Sequence, residues 1–188
     1  KYDNVMPFVH LPIQSGSDRI LKLMGRKYTI DEYLKLYNKI RKEVKGVSIT
    51  TDIIVGFPGE TEEDFEETLK IVNECKFDGA FTFAFSPREG TPAAKLKDNT
   101  TIEEKNERLH RLNEIVNKYS NEANQKMVGK IEKCLVTGIS EKDSSKYMGY
   151  TENMKLVNII SNENIIGQIV NVKIDEAKSF SLNGTKVD

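Results

Sequence analysis

Apolar and polar positions in the first part of the chain alternate between two rhythms. Val5-Met-Pro-Phe-Val9, Val47 to Val55 and Ala80 to Phe85 are dense, β-branched or aromatic runs of strand length. Helical spacing fills the gaps between them. Ser17 stands where it can cap a short helix carrying Ile20, Leu21 and Met24 on one side. Thr29-Ile-Asp-Glu32 has the spacing of a capping box, and Tyr33, Leu36, Tyr37, Ile40 and Val44 follow at helical period until Gly46 stops them. Thr61-Glu-Glu-Asp64 opens another helix, with acids where the dipole favours them and Phe65, Leu69 and Val72 as its inner stripe. Strand, helix, strand, helix, strand in this order predicts right-handed crossovers and a parallel sheet, too short to close into a barrel. A long amphipathic helix then starts at Thr101-Ile-Glu-Glu104 and runs through Leu109, Leu112, Val116 and Tyr119, covering the sheet and leading out of this domain.

From about Gly129 the period changes to two. Lys130 to Thr137, Tyr147 to Thr151, Lys155 to Ile160, Gly167 to Ile174 and Phe180 to Val187 read as strands separated by Gly, Asn, Asp and Ser turns. Five short strands in so few residues predict a small barrel of oligonucleotide-binding type. The expected domains are therefore residues 1–120 and 121–188.

Charge adds a local pattern under a formal net charge of -1. Asp18 to Lys45 holds nine Lys or Arg against four acids, whereas Glu60 to Asp78 holds two against eight. The basic stretch either faces phosphates or is a solvated helix face. From Asn121 onward nine basic residues balance nine acidic ones, so composition alone does not indicate nucleic acid there. Cys75 and Cys134 lie far apart and lack metal or disulfide spacing; they read as reduced thiols of a cytoplasmic protein. No apolar run approaches a membrane span, and no signal peptide is visible. The abrupt start at Lys1, almost inside a strand, is expected of a piece of a longer parent.

The chemistry lies in three loops, each leaving a strand at its C-terminal end, the edge where parallel sheets assemble their sites. They are His10-Leu-Pro-Ile-Gln-Ser-Gly-Ser17, Thr51-Asp-Ile-Ile-Val-Gly-Phe-Pro-Gly-Glu-Thr61 and Ser86-Pro-Arg-Glu-Gly-Thr-Pro92. Gly56-Phe-Pro-Gly59 is a tight turn that either lets backbone amides approach a ligand or simply joins strand to helix; no Gly-Lys-Ser/Thr makes it a Walker loop. Asp52 suits a ribose hydroxyl or an ammonium group, or else caps neighbouring backbone. Gln14 and Arg26, twelve positions apart, can reach one ligand, the Arg as a fork for a carboxylate. Arg88 sits on a constrained loop. His10 has no nucleophile to serve and reads as a structural or stacking residue; His110 reads as helix surface.

These loops resemble those of the radical S-adenosylmethionine methylthiotransferase family, closest to its tRNA-modifying MiaB group. The resemblance rests on His10 to Thr29, Thr51 to Thr61 and Phe85-Ser-Pro-Arg-Glu-Gly-Thr-Pro-Ala-Ala94. It extends into Gly149-Tyr-Thr-Glu-Asn153 and Leu156-Val-Asn158, which resemble a TRAM domain. It implies an α/β fold comprising the C-terminal half of a radical SAM partial (β/α)6 barrel, followed by the small all-β, OB-like TRAM barrel. It also implies S-adenosyl-L-methionine as cofactor, with Gln14, Arg26 and Asp52 on its ribose and amino-acid part and Ile54 to Gly56 on adenine. Ser15, Ser17, Glu60 and Arg88 match the same motifs. Two 4Fe-4S clusters belong to such enzymes, but their cysteine motifs are missing from this chain, which is therefore expected to be inactive alone. The implied partners are the tRNA anticodon stem-loop and an electron donor such as flavodoxin or ferredoxin.

The activity so implied is addition of a methylthio group to C2 of N6-isopentenyladenosine beside the anticodon. Related alternatives are threonylcarbamoyladenosine in tRNA or a ribosomal protein as substrate. A different class of reading is a non-catalytic RNA-binding module with a dead cofactor fold.

Overall fold

The computed structural model describes residues 4–141 and 143–188. Its elements follow the predicted order: β1 (Phe8–His10), α1 (Asp18–Leu23), α2 (Ile30–Glu43), β2 (Ser48–Val55), α3 (Glu62–Cys75), β3 (Gly79–Ala84) and the long α4 (Ile102–Gln125). An all-β run comes next: β4 (Ile131–Ser140), β5 (Asp143–Thr151), β6 (Leu156–Ile160), β7 (Ile169–Ala177) and β8 (Leu182–Val187). The described residues divide into two compact units, one of residues 10–44 and 49–116, the other of residues 4–9 and 45–48 with the described residues from 117 onward.

The first three strands form a sheet in the order β1-β2-β3, with β2 and β3 parallel in the register Asp52–Phe81 and Ile54–Phe83. The predicted capping box at Thr29 is present, and the helix start expected at Thr61 is a second one. Thr29 and Glu32 start α2, and Thr61 and Asp64 start α3, each pair exchanging side-chain and backbone bonds. Helix α3 buries Phe65, Leu69 and Val72 as its stripe requires. In α2 Tyr33 and Tyr37 are buried and Ile40 is half-buried, whereas Leu36, placed on the same predicted stripe, is 47% exposed.

The second unit is built on a closed barrel in the order β4-β5-β6-β8-β7. Its interior is Cys134, Val136, Val157, Ile159, Ile165, Val170, Val172, Ile174 and Leu182, with Met127 from the approach to β4. Two glycines allow strands to meet closely: a Cβ on Gly149 would lie 2.5 Å from the Leu135 carbonyl oxygen, and one on Gly184 2.5 Å from that of Lys173. Strand β4 runs three residues beyond the predicted Thr137, and β5 begins four before Tyr147. Register shifts between Val136 and Gly138 and between Ile139 and Ser140 absorb the glycine and the polar residues into the hairpin, so a segment that reads as loop is paired.

Candidate functional site

The first loop is fixed from three sides. Tyr28 and Tyr33 donate to the carbonyls of Ile13 at 3.1 Å and Leu11 at 2.8 Å, while the Ile13 amide donates to Thr51 Oγ1 at 2.9 Å. Gln14 makes a parallel bridge to β2, its amide donating to the Asp52 carbonyl and its carbonyl accepting from Ile54, both at 2.9 Å. Its φ of 68° lies in the left-handed region, where a non-glycine residue is held only by its surroundings.

Ser15, Gly16 and Ser17 turn instead toward α3. The Gly16 amide donates to Thr68 Oγ1 at 2.9 Å, and a Cβ there would stand 2.4 Å from the Thr68 Cα, so the loop and helix touch through backbone. Ser15 Oγ lies 3.4 Å from Thr68 Oγ1 and accepts from the Ser17 amide. Ser17 Oγ donates to Asp64 Oδ1 at 2.7 Å. Asp64 also accepts from Arg19, from the Thr61 amide and from the Thr61 hydroxyl. Burial pushes its carboxyl up, but the hydrogen bonds from Arg19, Thr61 and Ser17 outweigh that and hold it well below the ordinary range.

The second loop is closed by its own carboxylate. Gly56, at φ 68°, donates its amide to Glu60 Oε2 at 2.6 Å. The same oxygen accepts from Arg108 of α4 at 2.9 Å, and both side chains of this pair are buried. Burial pushes the Glu60 carboxyl up, against the opposing pull of the Gly56 amide and Arg108. Gly56 also makes room for the stem of Lys105, whose Cγ would be 2.4 Å from an added Cβ. Lys105 Nζ lies over the Phe85 ring and donates to Asp98, and Phe85 packs edge-on against Phe57 at 5.0 Å. In the third loop, Gly90 at φ 82° and the Thr91 hydroxyl, which donates to the Arg88 carbonyl at 2.7 Å, make a turn into the 3-10 segment Pro92–Lys95.

A cleft of about 620 Å³ opens where the three loops meet. Gln14, Arg26, Asp52, Ile54 and Arg88 line it, joined by Phe57, Phe83 and Phe85 among the apolar residues. Of the nine residues singled out in the sequence, these five converge on the cleft. The other four, Ser15, Ser17, Gly56 and Glu60, stand behind it in the bonds just described. The arrangement offers guanidinium forks for a carboxylate, a carboxylate for hydroxyl or ammonium groups, and an apolar wall for a flat ring.

Known protein families match both parts of the chain. The family model of the radical SAM superfamily matches residues 2–72, and that of the TRAM domain matches residues 125–187. The chain is 54% identical over 188 residues to the tRNA-2-methylthio-N(6)-dimethylallyladenosine synthase of Bacillus cytotoxicus, covering all of this chain and 37% of that protein. It is 51% identical over 188 residues to the synthase of the same name from Anoxybacillus flavithermus, covering all of this chain and 36% of that protein. The chain belongs to the radical SAM superfamily. It spans just over a third of the length of these curated relatives. Among solved structures, the radical SAM coproporphyrinogen III oxidase HemN of Escherichia coli shares the fold, with a TM-score of 0.53 at 18% identity over 78% of this chain and 41% of that one.

A radical SAM chain holds its iron-sulfur cluster through thiolates. The two cysteines here do not fit that role: Cys75 and Cys134 are buried in different units, and burial pushes each thiol up to about 12. Among the described residues no group of metal-ligating side chains gathers. Sequence reasoning also missed Lys105 and Arg108, which support the cleft from α4. Their signal was spacing: they lie seven and four positions before buried Leu112, on the helix stripe where a charge has to find a partner.

Proposed function

We propose that this chain is the part of a cytoplasmic tRNA methylthiotransferase that binds S-adenosylmethionine and RNA, its parent adding a methylthio group to C2 of N6-dimethylallyladenosine beside the anticodon. The observation that carries this reading is the convergence of Gln14, Arg26, Asp52 and Arg88 with Ile54, Phe57 and Phe85 in one cleft, on a chain 54% identical to a synthase of that name. One molecule of S-adenosylmethionine, bound beside a cluster held elsewhere in the parent, would supply the radical, and a second would supply the methyl group. In this chain Arg26 and Arg88 bind its carboxylate, Asp52 orients its ribose or ammonium group, and Ile54, Phe57 and Phe85 hold adenine and exclude water. Gln14, pinned by its two bonds to β2, sets the side-chain position on the first loop.

Residues 1–120 form the cofactor part in this reading, and residues 121–188 the RNA-binding part. The parent also requires an electron donor such as flavodoxin or ferredoxin. The test is nucleoside mass spectrometry of tRNA from cells with and without the gene. Loss of the methylthio-dimethylallyl nucleoside supports the proposal; unchanged tRNA overturns it. For the cleft itself, the chain is expected to bind S-adenosylmethionine, and Arg26→Ala to weaken that binding by about tenfold or more, the loss of a charge-assisted contact.

A further inference from the structure

Lys105 is a buried cation on α4 that the cofactor reading leaves without a role. Lysine is seldom buried, because its ammonium must give up water and be matched by partners, and an apolar side chain of similar length fills such a position without that cost. Here the ammonium reaches both ends of the third loop. Nζ lies 3.5 Å from the Phe85 carbonyl oxygen, where the loop begins, and donates to Asp98 Oδ2 at 2.5 Å, where the chain returns toward α4. Asp98 is itself held, its Oδ1 accepting from the Thr100 amide at 3.1 Å. Nζ also stands over the Phe85 ring, 5.4 Å from its centroid. The stem of the same side chain packs on Gly56 of the second loop, in the space that a Cβ there would take. Phe85 is thus caught between this cation and Phe57, which meets it edge-on at 5.0 Å, and both rings line the cleft.

We propose that Lys105 is a positioning residue: fixed by Asp98, it holds Phe85 in the posture in which that ring receives the flat end of the cofactor. This rests on the cofactor reading made above and adds to it a residue that does not itself line the cleft. Phe85 is half-buried at the mouth of a loop, where a ring left to itself samples several rotamers. Ordering such a side chain only when the ligand arrives weakens binding. A cation over the ring and a second ring at its edge order it beforehand, through contacts that suit the charge distribution of an aromatic face and edge. Because the same ammonium bonds to Asp98, the ring, the loop's return and Gly56 are located by one side chain, so the wall for a flat ring is set by α4 rather than by the loop alone.

The test compares the full chain with the double variant Lys105→Met, Asp98→Asn, which removes both charges together and keeps an apolar stem against Gly56. Ligand-observed NMR follows S-adenosylmethionine, 5′-methylthioadenosine and methionine. The double variant is expected to bind the first two about tenfold more weakly, through the loss of a ring held in place. Methionine binds it as it binds the unaltered chain, since Arg26 and Asp52 are untouched and the Arg88 turn keeps its own bond from Thr91. Lys105→Arg, which keeps a cation over the ring, stays within about threefold for all three ligands. In a Phe85→Ala background the double variant has no further effect. Equal weakening of methionine, or an effect that persists without the Phe85 ring, makes Lys105 a general support of the fold and overturns the proposal. So does unchanged binding of 5′-methylthioadenosine. Failure of the cofactor reading is separate: it shows as no binding of S-adenosylmethionine by the unaltered chain, or as binding that Arg26→Ala leaves intact. The positioning step is then judged without ligand, where the Phe85 ring resonances are expected to shift in the double variant and hold in Lys105→Arg; resonances indifferent to the double variant overturn it.

Discussion

Replacing Asp64 by Asn unties the first loop from the second, and the structure sets the size of the effect. Asp64 Oδ1 accepts from Ser17 Oγ at 2.7 Å and Arg19 Nε at 3.2 Å, while Oδ2 accepts from the Thr61 amide at 2.8 Å and the Thr61 hydroxyl at 2.9 Å. Asn keeps the shape and one oxygen. With that oxygen on the Thr61 side, the cap of α3 survives and the NH2 group faces Ser17 and Arg19. The charge-assisted bond from buried Ser17 is lost, about 1.5–3 kcal/mol. The half-exposed Arg19 adds only about 0.5 kcal/mol. Asp64→Asn is thus expected to cost about 2–3 kcal/mol, and Asp64→Ala, which also removes the cap, about 3–4 kcal/mol.

Because the chain has two compact units, global unfolding is a poor reading of this effect. Amide exchange resolves it: Ile53 and Phe65 are expected to exchange roughly 30–150 times faster in Asp64→Asn, with Val136 and Val172 unchanged. The sign with pH follows from a carboxyl held below its unfolded value of 3.8. Its stabilisation is present above that value and lost as pH falls, so the gap between the two proteins is constant above about pH 5 and narrows progressively below it, down to the carboxyl's depressed folded-state value. A cost below about 0.5 kcal/mol, equal acceleration in the barrel, or a gap that widens in acid refutes the reasoning.

Other perturbations have equally definite outcomes. Arg108→Met leaves the Glu60 carboxylate buried without its cation and should destabilise the first unit by about 3–5 kcal/mol, whereas Glu60→Gln with Arg108→Met recovers most of this in the same exchange assay. Gly184→Ala forces a Cβ within 2.5 Å of the Lys173 carbonyl oxygen and should lower the melting temperature of the barrel without changing S-adenosylmethionine binding. Affinity for an anticodon stem-loop, followed by fluorescence anisotropy, should fall linearly with log salt, with a slope of about -0.7 per phosphate neutralised; a flat response removes the RNA assignment.

Much of this architecture was legible in the sequence because periodicity and capping agreed. Thr29 with Glu32 and Thr61 with Asp64 mark helix starts that the structure places within a residue. The convergence of Gln14, Arg26 and Asp52 was legible too, since Gln14 follows the first strand, Arg26 lies one short helix further on and Asp52 is in the strand that feeds the second loop. What spacing does not encode is which side of a loop a side chain takes. Ser15 and Ser17 flank Gly16 in the same motif as Gln14, yet the close backbone contact at Thr68 turns them away from the cleft. Buried charge was the other blind spot: spacing puts Lys105 and Arg108 on the inner stripe of α4 but does not name their partners, since Asp98 and Glu60 lie outside that helix. The hairpin of β4 and β5 was shortened in the reading because Gly138 and the polar residues after it carry no strand preference of their own.

The two buried thiols, unsuited to metal, make this chain its own recording instrument. Cys75 closes α3 in one unit and Cys134 sits in the barrel interior of the other. A thiol-alkylating reagent reaches each only when its surroundings open, and peptide mass spectrometry tells the two adducts apart. One sample, quenched at intervals, therefore yields two separate opening clocks without any engineered label, one timing the cleft-bearing unit and the other the barrel.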